Sequence, residues 1–266
     1  MKKRIDLRLV EEGLCPSREQ AQRAIMAGKV WANGKRIEKA SQQVEAEDQV
    51  SIAEIDEKYV SRGGYKLEKA IAAFGLKIIG RDCLDAGAST GGFTDCLLQA
   101  GAAHIDAIDV GYGQLAWKLR QDPRVTVWER RNIRYFPKEL LERAPSLITA
   151  DLSFISLELV LAKFKELIGP DGDLVTLIKP QFEAGREKVG KKGVVRDQGI
   201  HVEVLQRLAE NAPSKGWHLV NLTFSPIRGP EGNIEFLGHW RENSAMMPEI
   251  NKVVNQAWHD LNGNTQ

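Results

Sequence analysis

The pattern of hydrophobic and polar residues changes near residue 58 and divides the chain into two parts. In residues 1–58, short amphipathic stretches are followed by short apolar runs, which predicts a small α+β domain. From Tyr59 onward, apolar runs alternate with amphipathic stretches, as in a parallel doubly wound sheet. We therefore predict an α/β fold, with a Rossmann-like seven-stranded domain over residues 59–266 that follows the small domain and a polar linker at 54–58.

The second part is predicted to hold seven strands and seven helices. Each strand is a short apolar run, and each helix has apolar residues at intervals of three and four. The strands are placed near 82–86, 104–109, 125–128, 147–151, 173–178, 218–224 and 234–240, and the helices near 65–74, 92–100, 114–120, 138–142, 157–168, 200–212 and 247–261.

Local signals define the elements of the first part. A helix is expected at about 4–12, and Ser17 with Gln20 forms a capping box that opens a second helix. Asn33-Gly34 is the strongest short hairpin signal, and it separates the apolar run 30–32 from residues 35–37.

Charge is unevenly distributed, although the net charge is only +1. Residues 1–40 hold ten Lys/Arg and five Asp/Glu, whereas residues 41–58 hold one Lys and six acids. The basic stretch fits a nucleic-acid surface and fits a plain solvated surface equally well.

Other classes of protein are disfavoured by composition. The three cysteines form no CxxC pair, which suits neither a disulfide framework nor a zinc site, and no metal site is predicted. No signal-peptide pattern is present, and no window approaches the roughly 18 apolar residues of a membrane span. We expect a cytoplasmic protein that is not bound to membranes, and no feature indicates an oligomeric state.

Residues 85–93, Asp-Ala-Gly-Ala-Ser-Thr-Gly-Gly-Phe, carry the first candidate chemistry. Glycines after a strand let the backbone pass close to a ligand and let the next helix pack on the sheet. Ser89 breaks the G-x-G-x-x-G pattern of dinucleotide sites, and the carboxylate of Asp85 suits a cationic ligand. Asp109 ends the next strand, where it can accept hydrogen bonds from ribose hydroxyls. These features indicate S-adenosylmethionine, although both aspartates could merely cap strand ends.

Four charged residues form a second candidate set. Asp151 and Lys179 each follow an apolar run, at the carboxyl ends of strands where open α/β sheets bind ligands. A lysine after five apolar residues is costly unless a partner or a substrate uses it. Lys66 lies in the first turn of a predicted helix. Considered alone, Lys66 or Glu235 is better explained as a surface charge or as a member of an ion pair.

The N-terminal part resembles the S4-like RNA-binding domain. The resemblance is carried by Arg4-Ile-Asp-Leu, by Ser17-Arg18-x-x-Ala21, and by Gly28-Lys29-Val30 leading into Trp31-Ala32-Asn33-Gly34. In that family the second helix and the hairpin present basic residues to the RNA backbone, which gives affinity and position rather than sequence choice. The competing local interpretation, a DNA-binding helix-turn-helix, is disfavoured by the trailing hairpin.

The second part resembles the FtsJ-like ribose 2′-O-methyltransferases. Lys66, Asp151, Lys179 and Glu235 occur in the order of that family's Lys-Asp-Lys-Glu tetrad. The strings at 61–67, 85–93, 151–156 and 178–183 are similar to those of the TlyA family, rRNA cytidine-2′-O-methyltransferases that are often catalogued as haemolysins. The resemblance covers nearly the whole chain.

This resemblance implies S-adenosylmethionine-dependent methylation of cytidine 2′-hydroxyls in large-subunit rRNA, and leaves small-subunit rRNA open. It implies rRNA or ribosomal subunits as partners. Lys179 would contact the hydroxyl as an ammonium or as a base, Asp151 would orient Lys179, and Glu235 would hold Lys66 or Lys179. Cofactor-binding candidates are Asp85, Gly87, Ser89, Thr90, Gly91, Gly92, Phe93, Asp109, Asn132 and Asp151; RNA-binding candidates are Arg4, Arg18, Arg23, Lys29, Lys35, Arg36 and Arg62.

Other functions fit the sequence less well than this interpretation. Methylation of exocyclic base nitrogens favours an Asn- or Asp-Pro-Pro-aromatic motif, where this chain has Asp151-Leu-Ser-Phe154. A pyrimidine C5 enzyme needs a cysteine near the active site, and neither Cys83 nor Cys96 is at a suitable strand end. A small-molecule methyltransferase would not need residues 1–58. A haemolysin needs membrane-active segments, and a catalytically silent RNA-binding protein would not need the tetrad. The basic loop 183–197 is expected to be mobile, as an RNA clamp or as a plain solvated loop.

Overall fold

The computed structural model describes residues 2–15, 17–26, 28–52, 58–243 and 247–262, apart from the side chain of Arg23. The RNA-binding prediction for Arg23 and most of the predicted linker 54–58 therefore fall outside the described part. Contacts between residues group the chain into two compact units, Met1–Glu57 and Lys58–Gln266. Each unit has its own hydrophobic core.

The first unit packs two helices against short strands. Ser17 Oγ accepts a hydrogen bond from Gln20 N at 3.3 Å, as the capping box predicts. β1 and β4 were not predicted, because strands of two residues leave no periodic signal. The elements are β1 (Lys3–Arg4), α1 (Ile5–Glu11), α2 (Arg18–Met26), β2 (Val30–Ala32), β3 (Lys35–Arg36), β4 (Gln43–Val44) and β5 (Val50–Ile52), with sheets β3-β2-β5 and β1-β4.

A buried carboxylate links the two helices of this unit. Asp6, on α1, is fully buried and accepts hydrogen bonds from Arg4, from Arg18 Nε at 2.9 Å and from Gln22 Nε2 at 3.1 Å. The bond from Arg4 is the main reason that the pKa of Asp6 lies well below its usual range. Around it, Ile5, Leu9, Ala21, Ile25, Val30 and Ile37 form the core.

The second unit is a seven-stranded sheet with helices on both faces, which confirms the predicted α/β fold. Spatial strand order is β11-β12-β10-β9-β6-β7-β8. The strands are β6 (Asp82–Ala86), β7 (His104–Ile108), β8 (Val125–Trp128), β9 (Leu147–Ala150), β10 (Asp173–Ile178), β11 (His218–Phe224) and β12 (Phe236–Arg241). The helices are α3 (Gly63–Phe74), α4 (Gly92–Gln99), α5 (Trp117–Arg120), α6 (Leu161–Leu167), α7 (Pro180–Glu183), α8 (Gln198–Asn211) and α9 (Ile250–Asn262).

Several predicted helices are shorter or interrupted. The helix predicted at 157–168 is a 3-10 turn, Leu157–Leu159, followed by α6, because Val160 at φ −120° breaks the regular backbone. The helix predicted at 138–142 is only the 3-10 turn Lys138–Leu140. Other 3-10 turns are Ile133–Tyr135, Arg186–Lys188, Lys191–Gly193 and Ala212–Lys215.

The sheet is mixed rather than wholly parallel, which corrects the expectation of a parallel sheet. β12 runs antiparallel to both β10 and β11. β11 connects to β12 through a loop without a helix, and parallel neighbours would need a longer crossover. In the register, Phe236 at the start of β12 pairs with Ile178 at the end of β10. The residue before β12, Glu235, therefore lies at the edge where the parallel strands end.

Alternate residues of the strands face the two helical layers. Cys83, Ile105, Ala107, Leu147 and Val175 belong to one buried cluster, with residues of α3 and α4. The other cluster joins the opposite faces of the same strands to residues of α6, α8 and α9, and its strand members include Leu84, Ala86, Ile108, Ile148 and Leu174. This period of two fixes which side chains can reach the sheet edge.

A charged cluster lies at the starting end of β10. Asp173 is 4% exposed and contacts Arg81 Nη1 at 2.7 Å, His239 Nε2 at 2.8 Å and Arg241 Nε at 2.7 Å. These partners compensate for burial and hold the pKa of Asp173 well below its usual range.

Asp6→Ala should destabilise the first unit selectively. The substitution removes a buried acceptor of several hydrogen bonds from charged groups, a loss of about 3 kcal/mol, which is large for so small a core. Hydrogen exchange should show lost protection in α1 and α2 and unchanged protection in β6 and β10. The exposed acid Glu19, replaced by Ala, is the matched control. Unchanged protection in the Asp6 variant would contradict the assignment.

Candidate active site

A cavity of about 930 Å³ lies at the edge of the sheet where the parallel strands end. Its volume falls within the roughly 300–1,000 Å³ of small-molecule sites. The lining residues come from the loops after β6, β7, β8, β9 and β10: Gly87, Ser89, Ile108, Asp109, Val110, Gln114, Arg131, Asn132, Ile133, Arg134, Asp151, Leu152, Ser153, Phe154, Ile155, Ser156, Leu159, Phe182 and Arg186.

Gly87 lets two strand ends come together at the floor of this cavity. A Cβ atom there would lie 2.5 Å from the backbone oxygen of Asp151, which no side chain tolerates. Gly87 N also donates to Ile108 O at 2.8 Å, and Asp151 N donates to Ala86 O at 3.0 Å. The glycine therefore holds the loop after β6 against the start of the loop after β9.

Asp109 organises the same loop from β7. Its Oδ2 accepts a hydrogen bond from Ser89 N at 2.8 Å, and its Oδ1 accepts one from Gly111 N at 2.6 Å. Each carboxylate oxygen keeps further lone pairs for a ligand that enters the cavity. Asn132 also lines the cavity, and its Oδ1 caps a 3-10 turn by accepting from Arg134 N.

Asp85 has a different environment from the one predicted. It is fully buried, does not line the cavity, and accepts hydrogen bonds from Thr94 Oγ1 at 2.7 Å and Thr149 Oγ1 at 3.2 Å. Burial raises the pKa of Asp85 to about 7. Asp85 thus ties β6 to α4 and β9 beneath the glycine loop.

The other predicted cofactor residues divide into two groups. Gly87, Ser89, Asp109, Asn132 and Asp151 line the cavity. Thr90, Gly91, Gly92 and Phe93 do not line it, and the contacts at Gly91, Gly92 and Phe93 are packing contacts. A Cβ atom at Gly91 would collide with Leu119, and one at Gly92 would collide with Ser61, so both glycines allow close packing of neighbouring elements.

Lys179 forms an ion pair with Asp151, which lines the cavity, although Lys179 itself is not among the lining residues. Lys179 Nζ lies 2.7 Å from Asp151 Oδ1 and donates a hydrogen bond to Ser153 Oγ at 2.8 Å. Only 11% of the Lys179 side chain and 22% of the Asp151 side chain are exposed. Their strands, β10 and β9, are parallel neighbours, so both side chains reach the same edge.

Lys66 and Glu235 form a second, more deeply buried pair. Lys66 Nζ donates to Glu235 Oε2 at 2.6 Å, with side-chain exposures of 9% and 1%. Two charges can remain at such burial when each compensates the other. The four predicted catalytic residues are therefore arranged as Lys179–Asp151 and Lys66–Glu235, which decides between the partners that the sequence left open for Glu235.

The predicted RNA-binding residues are partly engaged within the protein. Arg4 and Arg18 both bond to Asp6, and Arg62 donates to the backbone oxygen of Arg228 at 2.8 Å. Lys35 and Arg36 are exposed on β3, where Arg36 pairs with the exposed Trp31 of β2. Lys29 is half-buried.

The basic loop 183–197, which was predicted to be mobile, contains short turns and contacts neighbouring elements. It contains two 3-10 turns, and Lys188 forms an ion pair with Glu203 of α8. Asn233, 1% exposed, donates to Gly193 O at 2.8 Å and accepts from Val195 N at 3.0 Å. Arg186 lines the cavity, so the loop forms part of its wall.

Two aromatic residues that were not predicted as site residues, Phe154 and Phe182, line the cavity. Phe154 is 90% exposed and adopts φ +63°, and its ring centroid lies 5.1 Å from that of Phe182. Both residues occur inside the quoted strings 151–156 and 178–183, where neither was given a role. In the described residues of both units, no cluster of His, Cys, Asp and Glu side chains could hold a metal ion.

The residues around the cavity suit a cationic nucleoside cofactor. Gly87 leaves backbone space that a Cβ atom would fill, and Asp109 and Asp151 place two carboxylates on the cavity wall. Ile108, Val110 and Ile133 supply an apolar surface next to Asp109.

Comparison with known proteins gives concordant matches for both units. The family profile described as FtsJ-like methyltransferase matches residues 59–241, and that of the S4 domain matches residues 3–50. The 16S/23S rRNA (cytidine-2′-O)-methyltransferase TlyA of Mycobacterium tuberculosis is 47% identical over 234 residues, which is 88% of this chain and 87% of the relative.

Solved structures match as well. A Streptococcus thermophilus protein that carries the hemolysin name is 43% identical, with a TM-score of 0.79 over 99% of this chain and 98% of that one. A Listeria monocytogenes protein assigned to the S-adenosylmethionine-dependent methyltransferases aligns with 69% of this chain and 99% of that one, with a TM-score of 0.52 and 13% identity, which shows a shared fold. In the described part of this chain, no helix has the length and apolarity needed to cross a membrane.

The buried Asp85 should make stability depend on pH. An unfolded aspartate titrates near 4, so with a pKa of about 7 the folded unit holds an extra proton between roughly pH 4 and 7. Stability from this group is therefore greatest at low pH and declines as the pH rises through 7. Asp85→Asn should flatten that decline and unfold later in urea at pH 8, by on the order of 2 kcal/mol.

Urea unfolding of both proteins between pH 5 and 8 tests this prediction. Glu210→Gln, an exposed acid on α8, should keep the wild-type pH dependence. A pH dependence in Asp85→Asn equal to that of the wild type would rule out the raised pKa.

Proposed function

We propose that this chain, which belongs to the FtsJ-like methyltransferase family and carries an S4 domain, methylates the ribose 2′-hydroxyl of cytidine in ribosomal RNA. We propose S-adenosylmethionine as the methyl donor and rRNA or a ribosomal subunit as the partner. Residues 1–58 would bind RNA, and residues 59–266 would carry the reaction. The relative from Mycobacterium tuberculosis, named for this reaction on 16S and 23S rRNA, supports the choice of acceptor.

The observation that carries the proposal is the pair Lys179–Asp151 at the cavity, next to the buried pair Lys66–Glu235 at the same sheet edge. A ribose hydroxyl has a high pKa and is a poor nucleophile, so the enzyme must hold it in line and stabilise its developing charge. The Lys179 ammonium suits that task, because Asp151 and Ser153 hold it in place and little of the side chain is exposed. Base-directed methylation would not need this arrangement.

The residues proposed to hold the donor are those that line the cavity from the loops after β6, β7 and β8. Asp109 would accept hydrogen bonds from ribose hydroxyls of the donor, while Gly87, Ser89 and Asn132 contact it from the loops. When bound, the donor supplies a methyl group on a positively charged sulfur. Asp151 would lie next to the positive end, because its carboxylate is negatively charged and it lines the cavity beside Gly87.

Lys179 would act directly on the acceptor. Held by Asp151 and Ser153, its Nζ would donate a hydrogen bond to the 2′-oxygen and stabilise the negative charge that develops there, while the hydroxyl proton would pass to solvent. Lys66 would hold the ribose or its phosphate, and Glu235 keeps the Lys66 ammonium in one place. Asp85 is proposed as a residue that shapes the donor site from below rather than as a direct ligand.

The first unit would supply affinity and position. Lys35 and Arg36 present charge to solvent on β3, beside the exposed indole of Trp31, and phosphates favour such surfaces. Arg4 and Arg18 could contact RNA as well as Asp6, since both side chains remain at least 40% exposed. An rRNA substrate would place the protein in the cytoplasm.

Transfer of labelled methyl groups to ribosomal subunits from cells that lack the modification tests the function. The expected product is a labelled 2′-O-methylcytidine that survives digestion of the rRNA to nucleosides. Label in a base, in a small molecule, or nowhere would contradict the proposal. Lysis of red cells without methyl transfer would instead support a haemolysin.

Lys179→Ala should abolish methyl transfer and leave donor affinity within about twofold of the wild type. The lysine acts on the acceptor, so its loss removes transition-state stabilisation of at least about 100-fold in kcat. Donor affinity is measured by calorimetry and kcat by single turnover. Lys252→Ala, an exposed lysine on α9, is the control and should behave as wild type. Wild-type turnover in the Lys179 variant would refute its role.

Lys35→Ala should weaken RNA binding equally for all sequences. Loss of one phosphate contact should lower the slope of log K against log salt concentration by about 1. Binding to an rRNA fragment is measured at several salt concentrations, with Lys138→Ala, an exposed lysine of the second unit, as the control. An unchanged slope would exclude Lys35 from the RNA surface.

A further inference from the structure

The loop between β11 and β12 ends on Glu235 and is folded tightly at that residue. Ser225 N donates to the backbone oxygen of Glu235 at 2.8 Å, and Gly229 N donates to that of Asn233 at 2.9 Å. Gly232 N donates to Gly229 O at 2.9 Å. The backbone of residues 225–235 therefore closes on the residue whose side chain holds Lys66.

Gly229 faces the carboxylate of Glu235. A Cβ atom at this position would lie 2.6 Å from Glu235 Oε1 and 3.1 Å from Glu235 Cδ, and the nearest atoms to it all belong to Glu235. Gly229 is not among the glycines with positive φ, so its backbone conformation does not require glycine. The contact that requires glycine is the one with the carboxylate. Because Gly229 has no side chain, the Glu235 carboxylate can pack against its backbone while it accepts the hydrogen bond from Lys66.

Arg228 holds the backbone next to Gly229 in place through hydrogen bonds. Its Nη1 donates to Gly232 O at 2.6 Å, and its Nη2 donates to Leu261 O at 3.1 Å and to Asn262 Oδ1 at 2.6 Å, both at the end of α9. One side chain therefore joins the loop to the last turn of a helix that is packed in the core.

The other member of the ion pair is tied to the same place. Arg62 Nη2 donates to the backbone oxygen of Arg228 at 2.8 Å. Arg62 immediately precedes α3, and Lys66 lies in the first turn of that helix. Residue 228 is thus linked to Glu235 through the loop and to Lys66 through the start of α3.

We propose that Gly229 and Arg228 are positioning residues that set the Lys66–Glu235 pair in its working geometry, with Arg62 as the link to α3. Their effect on turnover rests on the proposed function. Their effect on the ion pair does not, because it concerns the geometry of the protein alone. Neither residue lines the cavity, and we place neither in contact with the donor or the RNA.

Gly229→Ala should lower kcat at least about tenfold, since misplacement near 1 Å costs on the order of 100-fold. Donor affinity should stay within about twofold, because the substitution displaces the Glu235 carboxylate and not the residues that line the cavity. Gly169→Ala is the matched control: its Cβ atom would lie 3.5 Å from the nearest atom, an ordinary contact, and it should retain wild-type kcat. A loss of donor affinity equal to the loss of kcat would overturn the positioning role.

A double-mutant cycle with Glu235→Ala provides the sharper test. In the wild-type background, Gly229→Ala should lower the melting temperature of the second unit by about 2–4 °C. Removing the carboxylate makes room for the new methyl group, so in the Glu235→Ala background the same change should have no effect. Equal losses in both backgrounds, or no loss in either, would overturn the proposal.

The two readouts separate this inference from the proposed function. If the wild-type protein transferred no methyl group to rRNA, the proposed function would fail, and the melting cycle would still decide whether Gly229 acts through Glu235. Arg228→Met should likewise lower kcat without weakening donor binding, and Arg228→Lys should restore part of the loss because a lysine can still reach one carbonyl of α9. Equal kcat values in the Met and Lys variants would remove Arg228 from the proposal.

Discussion

Two ion pairs determine what the edge of the sheet can do. A lone ammonium or carboxylate at the burial of Lys66 and Glu235 would cost several kcal/mol, and pairing offsets that cost only when the geometry is good. The protein therefore has to build accurate surroundings for each pair. Ser153 completes the environment of Lys179, and the loop after β11 completes that of Glu235. The packing around these charges serves the arrangement as much as it serves stability.

The antiparallel strand β12 makes the second pair possible. Parallel strands deliver to the cavity edge only the residues that follow them, as β9 delivers Asp151 and β10 delivers Lys179. An antiparallel neighbour delivers the residue that precedes it, and Glu235 is such a residue. Because β12 is antiparallel, the loop before it and the loops after β9 and β10 contribute residues to the same edge of the sheet. The price in regularity is small, since β10 and β12 still pair along their length.

Much of this could be predicted from sequence. Strands 82–86, 125–128, 173–178 and 218–224 match, because short apolar runs bounded by turns are unambiguous signals. The direction of β12 could have been predicted as well, since no helical pattern separates 218–224 from 234–240. The burial of Asp85 could not, because a carboxylate before a glycine loop has the same sequence whether it faces a ligand or Thr94. Gly229 gave no signal at all, since its only distinguishing contact is with a side chain six residues later.

The charges at the two ends of β10 have a consequence for folding. Asp173 is the first residue of β10 and contacts Arg81, His239 and Arg241. Lys179 follows the last residue of β10, and the residues between Asp173 and Lys179 are all uncharged. If the strand slid by two residues against its neighbours, side chains would keep their faces, but one of these charges would move between the helical layers without its partners. A slip of β10 in either direction is therefore energetically unfavourable. The placement of Asp173 and Lys179 at opposite ends of β10 therefore favours one register of this strand against its two neighbours.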